Sequence, residues 1–227
     1  MAQELNKPKQ EKPMPKRVKA DILPSEKISA QEQKRLNDAF IEAVRLGNNT
    51  KMLRLLKAGA DIDARDSWEG TALQLTATCN HPQTCALLIG EYKKAGRDIK
   101  ALLDERDNWK RTPLHLAARL GNAGVCHVLI TNGADPNATD CYNNTPLHEA
   151  TIMKFQESCV RTAFVLLAAG ADPDIRRNVD DRNVWGWVQG KEMRQYIYLF
   201  YQFRSIFPED GSKAFGLNFL ECVSGGS

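Results

Sequence analysis

Hydrophobic positions recur at helical spacing in short paired stretches along the chain. Leu36, Phe40, Ala43 and Val44 predict one amphipathic helix. Ser29 and Glu32 stand ahead of it at capping-box spacing. Gly47 stops that helix, because glycine takes a left-handed conformation without steric cost. Met52, Leu53, Leu55 and Leu56 predict a second helix from about Thr50 to Ala58, ended by Gly59-Ala60-Asp61. The same grammar returns further on. Thr112-Pro113-Leu114-His115 and Thr145-Pro146-Leu147-His148 begin 33 residues apart. Proline suits the first position of a helix, so each box predicts a helix start. Leu120-Gly121-Asn122 repeats Leu46-Gly47-Asn48, and Gly59 follows Asp38 by 21 positions just as Gly133 follows Thr112 by 21.

The other units depart from this pattern in defined places. The second opens with Thr71-Ala72-Leu73-Gln74 and carries Asn80 where glycine is expected, with Pro82 at a helix start. It spans 41 residues, eight of them extra. Four lengthen its second helix towards Gly96, and four, around Lys100 to Leu103, lengthen the following turn. The fourth unit has four extra residues between Ile152 and Ser158, then Ala169-Gly170-Ala171-Asp172. The fifth, from about Arg182, has Asn183-Val184-Trp185-Gly186 in place of the box and a helix predicted from Lys191 to about Phe207. The apolar residues of that last helix cover about 200° of its wheel, wider than the stripe of a one-sided helix. Either the tail residues Phe215, Leu217, Phe219 and Leu220 fold back over the excess, or a partner does.

A period near 33 with this opening resembles the ankyrin repeat, in which a finger turn and two antiparallel helices stack on their neighbours. The resemblance covers residues 36 to about 206. It implies an all-α solenoid of about five units (36–70, 71–111, 112–144, 145–181 and 182–207) with irregular ends, in an ordered domain spanning 29–207. It also implies that the box leucines enter the core and that His115 and His148 hydrogen-bond the turn backbone, a structural and not a catalytic role. Asn137 is expected to close a finger.

Aligning the fingers places Asp66-Ser67-Trp68-Glu69-Gly70 over Asp107-Asn108-Trp109-Lys110-Arg111 and Asp140-Cys141-Tyr142-Asn143-Asn144. An aromatic residue occupies the third position each time. In the family this register resembles, the second, third and fifth finger positions and the end of the first helix commonly contact partners. The candidate contacts are therefore Ser67, Trp68 and Gly70; Asn108, Trp109 and Arg111; and Cys141, Tyr142 and Asn144. The helix-end candidates are Thr78, Cys79, Arg119, Leu120, Ile152 and Met153. Trp, Tyr and Arg dominate binding hot spots. Two compatible readings stay open for Trp68, Trp109 and Tyr142: a ridge that receives a protein, or a brace between neighbouring fingers.

Charge sharpens this picture. Residues 1–35 hold nine Lys or Arg against five Asp or Glu, whereas the remaining residues carry 22 against 23. A near-neutral body is poorly suited to neutralising many phosphates, so nucleic acid is not the expected partner. Residues 1–28, with four prolines and few large apolar groups, predict a disordered basic tail, and residues 208–227 a C-terminal tail. Lys16-Arg17-Val18-Lys19 resembles a minimal nuclear-import signal, a class that short basic runs match easily by chance, and a plain solvated tail is the expected reading.

The six cysteines (79, 85, 126, 141, 159 and 222) form no Cys-x-x-Cys pair and read as reduced thiols of a cytosol-like compartment. No run reaches the roughly 18 apolar residues of a membrane span. No phosphate loop, nucleophile motif or metal cluster appears, so neither catalysis nor a cofactor is expected. The expected molecule is a cytoplasmic monomer that binds a protein through its fingers and first helices. The alternative is a small ankyrin regulatory cofactor or microbial effector directed to a nucleus by the basic tail.

Overall fold

A computed structural model describes residues 29–152, 157–187 and 198. The basic tail, Met153, the predicted helix beyond Lys191 and the C-terminal tail lie outside the described residues, apart from Tyr198. The helices are α1 (Ala30–Arg45), α2 (Asn49–Lys57), α3 (Ala72–Thr78), α4 (Pro82–Lys94), α5 (Ile99–Leu103), α6 (Pro113–Arg119), α7 (Ala123–Thr131), α8 (Pro146–Ile152), α9 (Glu157–Ala168) and α10 (Val184–Trp187). Among the described residues there is no strand. A single bridge pairs Arg65 with Thr71.

The helices stack in two rows. α1, α3, α6, α8 and α10 pack successively in one row, and α2, α4, α7 and α9 in the other. Between the rows lies one continuous core, with Phe40, Met52, Leu73, Leu88, Leu114, Leu129, Leu147 and Leu166 fully buried. Each such side chain contributes about 1.5–3 kcal/mol of burial. No repeat could bury this surface alone, so the array is stable only as a stack.

The first-row helices start as their boxes predict. Pro113 and Pro146 sit at the first helical position. Thr112 and His115 form a reciprocal cap, as do Thr71 and Gln74. In the fifth unit, Asn183 takes the threonine's place and its Oδ1 accepts the Gly186 N–H at 3.1 Å. At Ser29 half of the expected capping box forms: Oγ accepts the Glu32 N–H at 3.2 Å, while Glu32 itself lies exposed. Asn80 takes a left-handed φ of 57° where the other units use Gly47 (66°) and Gly121 (72°).

The eight extra residues of the second unit divide as the register implies, with one difference. α4 has 13 residues against nine in α2 and in α7. The segment near Lys100, expected to be turn, is the one-turn helix α5. Asp98 caps it by accepting from the N–H groups of Lys100 and Ala101, and Leu102 and Leu103 enter the core. Contrary to expectation, the Asn137 side chain does not close its own finger but reaches the next unit. Its Oδ1 accepts from Asp172 N–H at 2.7 Å and its Nδ2 donates to the Gly170 carbonyl at 3.1 Å, which joins the third unit to the fourth.

Candidate functional site

The fingers are built by one aspartate each. Asp140 Oδ1 accepts from the N–H groups of Tyr142 and Asn144, both at 2.8 Å. Asp66 does the same for Trp68 and Gly70, and Asp107 for Trp109 and Arg111. A backbone bond closes each turn: Asp66 N–H to the Gly70 carbonyl, Asp107 to Arg111, and Asp140 to Asn144, each at 3.0 Å. The fourth position is left-handed every time, at Glu69 (φ 62°), Lys110 (60°) and Asn143 (60°). This geometry turns the third side chain out. Trp68 is 83% exposed, Trp109 53% and Tyr142 49%.

Successive fingers are also tied together. Cys141 N–H donates to the Trp109 carbonyl and Asn178 N–H to the Tyr142 carbonyl, both at 3.0 Å. Backbone bonds thus link these fingers, while Trp109 and Tyr142 stay about half exposed. Among the described residues no such bond joins Asn108 to Trp68, where the longer second unit intervenes; an Arg65–Glu105 ion pair links those units instead. A fourth finger, absent from the sequence alignment, continues the row. It is one residue longer, is closed by Arg177 N–H to the Arg182 carbonyl at 2.9 Å, and presents Val179 at its third position.

Of the remaining candidates, Ser67, Asn108, Cys141, Arg119, Leu120 and Ile152 are exposed. Thr78 is also exposed, and Gly70 and Cys79 are half-buried. Met153 lies outside the described residues. Asn144 is not a surface contact: it is buried, its Nδ2 donates to Asp140 Oδ2 at 2.9 Å, and its Oδ1 accepts from Arg177 Nε at 2.5 Å. The fifth position turns inward here because asparagine is short enough to bond the finger's own aspartate. At the equivalent position Arg111 is half-buried, forms an ion pair with Asp107 at 2.7 Å and stacks on Trp109, with its guanidinium carbon 4.7 Å from the ring centroid. Trp109 is thereby held in place before any partner arrives.

Trp109, Arg111, Arg119 and Tyr142 converge on a cavity of about 530 Å³ that spans the second to fourth units. Two acidic groups line it that the sequence reading did not single out, Asp140 and Glu149. The Asp140 carboxylate is spent on its finger. Glu149 is 3% exposed, and its Oε2 accepts no hydrogen bond; Arg119 Nε stands 3.9 Å from it. Burial pushes its carboxyl above the usual range, against the pull of Arg119. The repeat register carried a signal for it, since Leu75 and Leu116 occupy the same position in the second and third units.

The box histidines have the structural role expected. His115 Nδ1 accepts the Thr112 N–H at 3.2 Å and Nε2 donates to the Asn144 carbonyl at 3.0 Å, so both ring nitrogens are committed. His148 Nδ1 accepts the Thr145 N–H in the same way. Burial lowers both to about 4, which keeps the rings neutral. His81 caps the end of α1, its Nε2 lying 3.0 Å from the Arg45 carbonyl. Among the described residues no helix is long and apolar enough to cross a membrane.

A comparison with curated proteins gives no match to this chain. A family model described as ankyrin repeats (3 copies) matches residues 40–140 and again 97–177, together more than half of the sequence. These matches span the helices from α2 to α9 and the three fingers at Trp68, Trp109 and Tyr142, and the chain belongs to the ankyrin repeat family.

Proposed function

We propose that the protein is a non-enzymatic binding module that docks a protein partner on its finger tips and the adjoining ends of its first-row helices. Ankyrin repeats are in general protein–protein interaction modules. The observation that carries the reading here is the row of outward side chains Trp68, Trp109 and Tyr142 on turns of one geometry. Large aromatic groups in water are costly unless something covers them, and their row offers anchors whose positions are already fixed. Hot-spot aromatics of this kind contribute about 2 kcal/mol or more each when truncated.

The buried nucleophiles fit the non-enzymatic reading. Burial pushes the Cys85 thiol to about 11 and Cys126 to about 12, so neither supplies a thiolate near neutral pH. His115 has no free nitrogen to act as a base.

The test compares proteins retained by the wild type, by the Trp68→Ala/Trp109→Ala/Tyr142→Ala variant, and by an Arg54→Ala/Lys57→Ala control on α2. A partner held by the wild type and the control but lost from the triple variant supports the reading. A partner retained equally by all three refutes it.

A further inference from the structure

The cavity that spans the second to fourth units has a polarity that selects among partners. Trp109 and Tyr142 of the finger tips line it, as does the buried Glu149. Glu149 Oε2 lacks a hydrogen-bond donor, an expensive state for a buried carboxylate oxygen. The surrounding charges are differently committed. Arg111 is engaged by Asp107 and lies over Trp109. Asp140 holds its finger through both carboxylate oxygens. Arg119 is half exposed and stands 3.9 Å from Glu149, too far to donate a hydrogen bond. An anion entering here would find Arg119 beside it but would also meet the carboxylates of Asp140 and Glu149. A cation would meet two aromatic side chains, Trp109 and Tyr142, and an oxygen without a donor.

We infer that this cavity receives a lysine or arginine side chain of the partner protein, its stem lying between Trp109 and Tyr142 and its charged end donating to Glu149. This rests on the finger face being the docking surface. Arg119 is then a competitor of the incoming cation, which Arg119 leaves for water as the partner side chain arrives. The inference carries an unusual sign: removing this exposed arginine strengthens binding.

The experiment measures binding of the full chain at pH 8 to four pools of capped hexapeptides with randomised flanks and a central Lys, Arg, norleucine or Glu. Norleucine keeps the lysine stem without its charge. The wild type is expected to bind the Lys or the Arg pool at least about tenfold more tightly than the norleucine pool, a difference of about 1.4 kcal/mol. The difference between those two pools tells which cation fits better. Glu149→Gln, which keeps the shape of the side chain, should reduce the preference to less than about threefold, and Arg119→Ala should raise affinity for the preferred basic pool. Tyr142→Leu, at an exposed position, gives an independent reading and should weaken that same pool severalfold.

Equal binding of the norleucine or Glu pool by the wild type, a preference that survives in Glu149→Gln, or no binding of any pool would overturn the inference. The two levels separate cleanly. If the triple alanine variant loses a partner while no pool shows a preference, the finger face stands and the cation site falls. If that variant keeps its partner, the finger face falls first.

Discussion

The imidazole of His115 donates to the Asn144 carbonyl at 3.0 Å, tying the start of α6 to the finger that ends the same unit. Gln74 occupies the same place in the second unit and caps its helix through the same pair of bonds, with Thr71 N–H to Oε1 at 3.0 Å and Gln74 N–H to Thr71 Oγ1 at 3.2 Å. Histidine is therefore one of two solutions to the same capping problem. It differs by bringing a titratable group into the core.

That difference predicts acid sensitivity. His115 and His148 fall to about 4 in the fold, whereas an unfolded histidine titrates near 6.5. Between these values the unfolded chain binds more protons, so stability is fully present above about pH 6.5 and falls as pH drops towards 4. The loss between pH 7 and pH 5 should be on the order of 2 kcal/mol per histidine, read as the urea midpoint. Glu149, raised by burial, acts in the opposite sense and stays constant in the comparison. His115→Gln/His148→Gln should fold and show a clearly flatter midpoint between pH 7 and pH 5. An unchanged pH slope would mean that these rings are not the source.

Lys110 is left-handed at φ 60°, and its exposed side chain makes no described bond. A non-glycine residue costs about 1 kcal/mol or more in that region. Lys110→Gly should therefore stabilise the protein by roughly 0.5–1 kcal/mol, measured by urea unfolding. Asn143, left-handed at the same position of the next finger, should gain less from Asn143→Gly, because its Nδ2 donates to the Arg176 carbonyl at 2.6 Å.

Gly121 and Gly133 separate conformation from packing. Both have positive φ, 72° and 102°. A Cβ on Gly121 would stand 2.8 Å from Ser158 Oγ and 3.3 Å from the Ser158 backbone, whereas a Cβ on Gly133 would meet nothing within 4 Å. Gly133→Ala should cost about 1 kcal/mol and Gly121→Ala roughly 2 kcal/mol or more, because the second also pushes the third unit from the fourth. Equal losses in thermal or urea unfolding would show that the unit interface yields freely.

Much of the fold was legible because repeats expose their own register. The boxes at Thr112 and Thr145 fixed the helix starts, and the glycines fixed the stops. What the register could not show was the destination of an insertion: Leu102 and Leu103 made a helix of a presumed turn because they reach the core. The fingers were legible in the same way, down to the outward aromatics. Asn144 was misplaced because position alone does not say whether a short amide bonds the finger's own aspartate. Glu149 was overlooked for the converse reason. A charged residue at a position that is leucine in two other units is visible only when the units are compared for what differs.

The central claim is that the finger row, and not the second-row helices, meets the partner. Site-specific photo-crosslinking tests it directly, with a photoreactive phenylalanine placed in turn at Trp68, Trp109 and Tyr142 and, for comparison, at the exposed Lys57, Lys94 and Thr131 of α2, α4 and α7. The account predicts that the finger positions capture one common protein in cells and that the second-row positions do not. Capture of that protein from Lys57, Lys94 or Thr131, with none from the fingers, would contradict it.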